Sequence, residues 1–129
     1  MTDRTRALHN DGMIREFISA WDRRDTDHIV DCFTDDGIYH SMPLTPIVGK
    51  AAIRDFVTKF AGVPPGRLEI HHQVASDDIV MNERTDSITV NGVAVVLPIC
   101  GVFEIVDGRI KAWREYFDLT PAKAAYGAS

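Results

Sequence analysis

The dipeptide Asn91-Gly92 constrains this chain more than any other feature. It stands between two long runs, Ile79 to Val90 and Val93 to Val106, in which apolar residues alternate with others. A type I′ two-residue hairpin turn needs positive φ at both central positions, and Asn-Gly supplies it at low steric cost. The two runs are therefore predicted to be neighbouring antiparallel strands. Asp107-Gly108 repeats the device ahead of a further run, Arg109 to Leu119. Upstream, from Arg67 onward, Leu68, Ile70, His72 and Val74 alternate with polar residues and share one face of a strand. The second half of the chain thus reads as an antiparallel meander.

The first half has a helical period instead. Met13, Ile14, Phe17, Ile18 and Trp21 form one apolar stripe, on a helix that Asn10 or Asp11 would cap. Residues 1–9 are then a tail, as are residues 121–129. Ile29, Val30 and Phe33 give a second short helix after a turn at Asp25 to Asp27, ended by Asp35-Asp36-Gly37. Ile38 to Met42 reads as a short strand, broken by Pro43 and Pro46. Gly49 opens a third helix with Ile53, Phe56, Val57 and Phe60 on its buried side, and the stretch from Gly62 to Gly66 stops it. Segregated helices and strands mean α+β. The expected architecture is three N-terminal helices packed on a strongly curved, mostly antiparallel sheet, forming a cone with an internal pocket. The outer sheet face, with Val93 and Val95, is where a homodimer contact is expected.

At 129 residues, 45% hydrophobic and 26% charged, the chain is one globular domain's worth. A formal net charge of −5 argues against nucleic acid and anionic membrane as partners. No apolar run approaches the ~20 residues of a membrane span. The polar stretch Met1 to Asn10 lacks the apolar segment of a secretory signal, so the expected location is the cytoplasm. Cys32 and Cys100 read as small buried hydrophobes rather than as a disulfide.

Three polar placements go against this pattern. Arg84 and Asp86 share the face of Ile88 and Val90, which is the apolar face further along. Glu115 sits between Trp113 and Phe117 on one face of the last strand, and Tyr39 and Ser41 share a face of the early strand. A buried carboxylate is costly unless paired and hydrogen-bonded. Two carboxylates with one arginine between them satisfy that need, and still leave one negative charge that a proton relieves. One member can then be protonated while the other is ionised, as push–pull acid–base chemistry requires. The same spacing also suits a solvated cross-strand pair of little consequence.

Four segments carry a resemblance: Tyr39-His40-Ser41-Met42-Pro43-Leu44, Asn82-Glu83-Arg84-Thr85-Asp86, Gly101-Val102-Phe103-Glu104 and Trp113-Arg114-Glu115-Tyr116-Phe117-Asp118-Leu119. In order and spacing they resemble limonene-1,2-epoxide hydrolase, from about the first helix to Leu119. The resemblance implies the cone shared with scytalone dehydratase, ketosteroid isomerase and nuclear transport factor two. It also implies an epoxide hydrolase that needs no cofactor and no metal, and a homodimer. Asp86, in the Arg-x-Asp motif with Arg84, would protonate the epoxide oxygen. Glu115, after the Trp-Arg pair, would take a proton from the attacking water. Tyr39 and Ser41 would hold that water. The family has aspartate where this chain has Glu115, and asparagine where it has Ser41. Either the longer base reaches a water held further back by the shorter serine, or the water site is broken. A misplacement of ~1 Å can cost ~100-fold in rate.

The remaining candidates are weaker. Trp113, Phe117, Met42, Leu44 and His72 are expected to line the substrate pocket, with Ile47, Phe56, Leu97, Ile99 and Phe103 as further apolar candidates. His71 and His72 should point to opposite faces and so cannot share a metal ion. His40 reads as structural, and Arg114 and Asp118 as an outer-surface pair. The expected partners are a small apolar epoxide and water. Two alternatives stand beside this reading. One is an isomerase, dehydratase or polyketide cyclase of the same fold. The other is an inactive small-ligand binding protein.

Overall fold

The computed structural model describes residues 2–63, 66–123 and 125. Its order is α1 (Asp3–Asp22), α2 (Thr26–Asp31), β1 (Phe33–Ser41), β2 (Ile47–Val48), α3 (Lys50–Ala61), β3 (Arg67–Ser76), β4 (Ile79–Val90), β5 (Val93–Val106) and β6 (Arg109–Tyr116), then a 3-10 turn at Thr120–Ala122. The six strands form one sheet in the order β2-β1-β6-β5-β4-β3. Every pairing is antiparallel except β1 with β6, which is parallel. The sheet is open, with β2 and β3 as its edges.

The hairpin turns are as the dipeptides predict. Asn91 and Gly92 have φ of 50° and 79°, and Asp107 and Gly108 have 49° and 75°. The register then runs unbroken from Val90↔Val93 to Ile79↔Glu104.

Several boundaries differ from expectation. Helix α1 starts at Asp3, where the Thr2 side chain accepts from the Thr5 N–H at 3.1 Å. Residues 3–9 are therefore helix, not tail; their polar side chains suit the solvent side. Asn10 is no cap: it lies buried within the helix and its Nδ2 donates to the Asp77 carbonyl at 3.1 Å. Helix α2 ends at Asp31, before Asp35-Asp36-Gly37, and Phe33 already belongs to β1. Pairing of Phe33 with Ile110 draws the chain into the sheet there. The Asp-Asp-Gly sequence instead falls in the register shift between Phe33 and Ile38. At the C-terminus, Ala122 and Ala125 are buried against Val95, Leu97 and Ile99, so this part is packed rather than a tail; residues 124 and 126–129 lie outside the described residues. Val95 accordingly faces inward at 3% exposure and is not part of an outer surface. Cys100, expected to be buried, is exposed on the outer face, between Glu83 and Tyr116.

The helices cover one end of the inner sheet face. Ile14, Phe17, Ile18, Trp21, Ile53 and Val57 from α1 and α3 pack on Phe33, Phe103, Ile110 and Trp113. Burying side chains of this size contributes about 1.5–3 kcal/mol each. The smaller cluster around Val95, Leu97 and Ile99 lies toward the Asn91-Gly92 end of β5. The chemistry-bearing residues stand between these two apolar bodies.

Candidate active site

Cross-strand register places two rows of residues side by side. In the first, Tyr39 pairs with Trp113 and Trp113 with Phe103. The Trp113 ring stacks between the other two, at 4.3 Å and 13° to Tyr39 and 5.3 Å and 17° to Phe103. In the next row Ser41, Glu115, Gly101, Asn82 and Gln73 are successive partners across β1, β6, β5, β4 and β3. Gly101 has no side chain, and the gap over it is where the Arg84 guanidinium lies. A Cβ on Gly101 would stand 2.6 Å from Glu115 Oε2 and 2.8 Å from Arg84 Nη1.

Arg84 is 1% exposed, Glu115 2% and Asp86 7%. A guanidinium has five N–H donors, and each has an acceptor here. Nε and Nη2 donate to the two oxygens of Asp86 at 3.1 and 2.9 Å. Nη2 and Nη1 donate to the two oxygens of Glu115 at 2.5 and 3.2 Å. Nη1 also donates to Asn82 Oδ1 at 2.8 Å. The face of the guanidinium lies 5.8 Å from the Trp113 ring.

Burial alone would lower the pKa of Arg84, but Glu115 and Asp86 more than reverse this and hold it charged. Burial pushes the Glu115 carboxyl up; Arg84 pulls it back and Asp86 adds to the rise, leaving it at about 7. Burial, and then the Glu115 charge, lift the Tyr39 hydroxyl above its ordinary value. Tyr39 is thus a neutral hydrogen-bonding group at neutral pH. The Ser41 hydroxyl donates to the Tyr39 oxygen at 3.5 Å.

Asp86, Glu115, Tyr39 and Ser41 all line a cavity of about 450 Å³. Arg84 lies behind the two carboxylates and is not part of the wall. Trp113, Phe117 and Leu44 line the cavity, with Ile47, Phe56, Leu97 and Ile99. The exposed side chains of Thr45 and Lys59 mark its rim.

Other expected positions fall elsewhere. Met42 is off the cavity wall at 38% exposure, because Ser41 takes the inward position and its neighbour turns out. Phe103 is core, fully buried beneath Trp113. His72 is on the outer face with its side chain 83% exposed, and its Nδ1 lies 3.0 Å from Glu83 Oε1. The cause is a bulge between Ile70 and His72, which reverses the alternation downstream. It also puts His71 against Thr85, on the same side as His72, so the two histidines do not face opposite ways. Gln73 turns inward by the same shift. Arg114 pairs with Glu104 rather than Asp118, which accepts from the Thr120 N–H at 2.9 Å. His40 Nε2 lies 3.1 Å from the Leu44 carbonyl oxygen.

Sequence reasoning gave no site role to Asn82, Gly101, Gln73 or Asp11, although Asp11 was offered as a helix cap and Asn82 and Gly101 open two of the segments that carry the resemblance. Two of them carried a signal. Asn82 has the parity of Arg84 and Asp86, and Gly101 is a lone glycine inside a strand pattern, which marks a close approach.

A carboxylate–arginine–carboxylate set under an apolar cavity, on an open six-stranded α+β sheet packed with three helices, defines a pocketed protein with the groups for acid–base chemistry. The fold matches an NTF2-like protein of unknown function from Cytophaga hutchinsonii (TM-score 0.74, 16% identity, 87% of this chain and 92% of that one). It also matches Bal32a from a soil-derived mobile gene cassette (TM-score 0.83, 22% identity, 94% and 98%). The family described as limonene-1,2-epoxide hydrolase catalytic domain matches residues 9–125, and the chain belongs to that family. It is 31% identical to epoxide hydrolase EphG of Mycobacterium tuberculosis over 106 residues, 82% of this chain and 71% of that protein. An LEH-like epoxide hydrolase structure from M. tuberculosis superposes with a TM-score of 0.83 at 28% identity, over 93% of this chain and 90% of that one. No helix among the described residues is long and apolar enough to cross a membrane.

Proposed function

We propose that the protein adds water directly to a small apolar or alicyclic epoxide and releases a vicinal diol, using side chains without metal or organic cofactor. The observation that carries this is the buried pair Asp86 and Glu115. Both face an apolar cavity, and both are clamped by an arginine with every donor engaged. Arg84 therefore orients the carboxyls and balances their charge while they meet the substrate.

In the proposed reaction, protonated Asp86 gives its proton to the epoxide oxygen as the C–O bond breaks. A water attacks the ring carbon and loses a proton to ionised Glu115. Tyr39 and Ser41 orient that water. A base poised near 7, as Glu115 is, combines availability at neutral pH with a strong pull on the proton. The cycle closes when the proton on Glu115 is replaced by one on Asp86. The exposed outer face, with Val74, Met81, Val96 and Tyr116, is the surface a second copy would cover in a homodimer.

One observation favours a second reading, with the two roles exchanged. The lifted Glu115 carboxyl holds a proton readily at neutral pH and could itself be the acid.

The deciding experiment follows diol formation from cyclic and styrene-type epoxides in chelated buffer, with Asp86→Asn as control. Turnover by the parent and none by the variant supports the hydrolase. No turnover by folded parent returns the protein to the isomerase, cyclase or binding-protein class. A single turnover in ¹⁸O-water puts label in the diol and none in the protein if water attacks directly. Azide needs no general base, so it should restore ring opening to Glu115→Ala but not to Asp86→Ala. The reverse pattern assigns the roles the other way.

A further inference from the structure

The fifth donor of Arg84 leads away from the cavity. Asn82 Oδ1 accepts it at 2.8 Å, and Asn82 Nδ2 donates onward to Gln73 Oε1 at 3.0 Å. Gln73 Nε2 then donates to Asp11 Oδ1 at 2.8 Å and to the Asp11 main-chain oxygen at 3.0 Å. Asp11 belongs to α1 and is itself paired with Arg15 at 3.1 Å. Both amides point the same way, and the two ends fix that direction. Arg84 offers donors alone, and the two Asp11 oxygens accept. A flip of either amide would set N–H against N–H or oxygen against oxygen. The relay has one arrangement and is anchored in a helix. Neither Asn82 nor Gln73 lines the cavity, so any effect they have on chemistry passes through Arg84.

We propose that Asn82 is a positioning residue: held from α1 through Gln73 and Asp11, it seats the Arg84 guanidinium and so fixes how Arg84 clamps Glu115. Nη1 is shared between Asn82 Oδ1 and Glu115 Oε2, and both oxygens converge on the space above Gly101. Without Asn82 a buried donor loses its acceptor. The guanidinium must then turn, and Glu115 turns with it. The charged and titratable groups bearing on Glu115 are Arg84 and Asp86 from β4 and Tyr39 from β1, while β5 presents Gly101. A new charge at position 82 would join this set.

The test compares Asn82→Leu, Asn82→Asp and Gln73→Leu. It has two readouts: the Glu115 titration, by carbon-13 NMR of glutamate-labelled protein, and kcat and KM for an epoxide. Only the kinetic arm rests on the epoxide reading. Asn82→Asp keeps the acceptor and adds a like charge, so the Glu115 midpoint should rise by roughly one pH unit. Its kcat should recover toward the parent's on the alkaline side. Asn82→Leu should lose about 10–100-fold in kcat at every pH, as expected for a displaced reacting group, with KM unchanged. Gln73→Leu should shift kcat in the same direction by less. An unmoved Glu115 midpoint in folded Asn82→Asp overturns the proposal, as does a change in KM in place of kcat. If Asn82→Leu does not fold, the other two variants decide. If the parent opens no epoxide, a shifted midpoint upholds the positioning role and sinks the hydrolase reading, and an unshifted one sinks the positioning role.

Discussion

The two adjacent rows on the inner sheet face use the same strands and reach opposite ends. The Tyr39–Trp113–Phe103 row fills its space with aromatic rings stacked face to face. One step along, the Ser41–Glu115–Gly101–Asn82–Gln73 row has a glycine at its centre, and a guanidinium from a neighbouring position occupies the gap. The first row is stabilised by burial that any well-shaped apolar set can provide. The second depends on charges cancelling one another out of water, which succeeds only while all partners are present.

Removing the filler should produce the largest effect. Arg84→Met keeps much of the side-chain volume and leaves Asp86 and Glu115 buried without a cation. Breaking such a set costs about 3–5 kcal/mol. Urea unfolding should show that loss, and epoxide turnover should disappear with it. Near-parent stability would mean that the carboxyls simply take up protons, and that the second row tolerates apolar filling as the first does.

Making the second row resemble the first is the next test. At Gly101 an added methyl would meet Glu115 Oε2, Arg84 Nη1 and Asn82 Oδ1 at 2.6, 2.8 and 3.2 Å. These are side-chain ends rather than backbone, so the clamp can shift. Gly101→Ala should cost about 1–3 kcal/mol by overpacking and about 100-fold in kcat through misplacement. A loss of stability with kcat intact would show that the clamp relaxes without consequence for the reaction.

How much of this was legible in the sequence depended on whether local alternation survived. Arg84, Asp86 and Glu115 were found because β4 and β6 keep their period of two through the site, so parity alone put three charges on an apolar face. Nothing local says that β1 lies parallel to β6, and that pairing brings Ser41 opposite Glu115. The start of α1 was hidden because its first turns are polar and solvent-facing, as a tail would be. Asp35-Asp36-Gly37 carried a true break signal, but the break is in strand register, since pairing with β6 outweighed the local turn preference. Gln73 could not be read at all, because the bulge before it reverses the face it occupies.

Proton binding should separate the two rows as a function of pH. Glu115 has an ordinary value of 4.5 and is raised to about 7, by burial first, with Asp86 adding and Arg84 opposing. The folded state therefore holds this proton more tightly than the unfolded chain does. The resulting stability is fully present below the unfolded value and is lost as pH rises through about 7. Between those limits the parent should lose stability relative to Glu115→Gln with a slope of at most about 1.4 kcal/mol per pH unit. Urea midpoints of both proteins from acid to neutral pH measure the difference. Parallel curves would show that Glu115 titrates alike folded and unfolded, and that its burial is offset by Arg84.

The smallest effect is expected at a residue whose alternation pointed at the cavity. His72 shares the sequence parity of Leu68 and Ile70, and Leu68 does line the cavity. The bulge between Ile70 and His72 turns it outward, where its ring meets Glu83 in solvent. An exposed pair of this kind contributes little. His72→Ala should change stability by no more than about 0.5 kcal/mol and leave kcat/KM for an epoxide as it was. A clear change in kcat/KM would place the His72 ring back toward the cavity and remove the bulge from β3. Gln73 would then turn outward, and the polar row would end at Asn82.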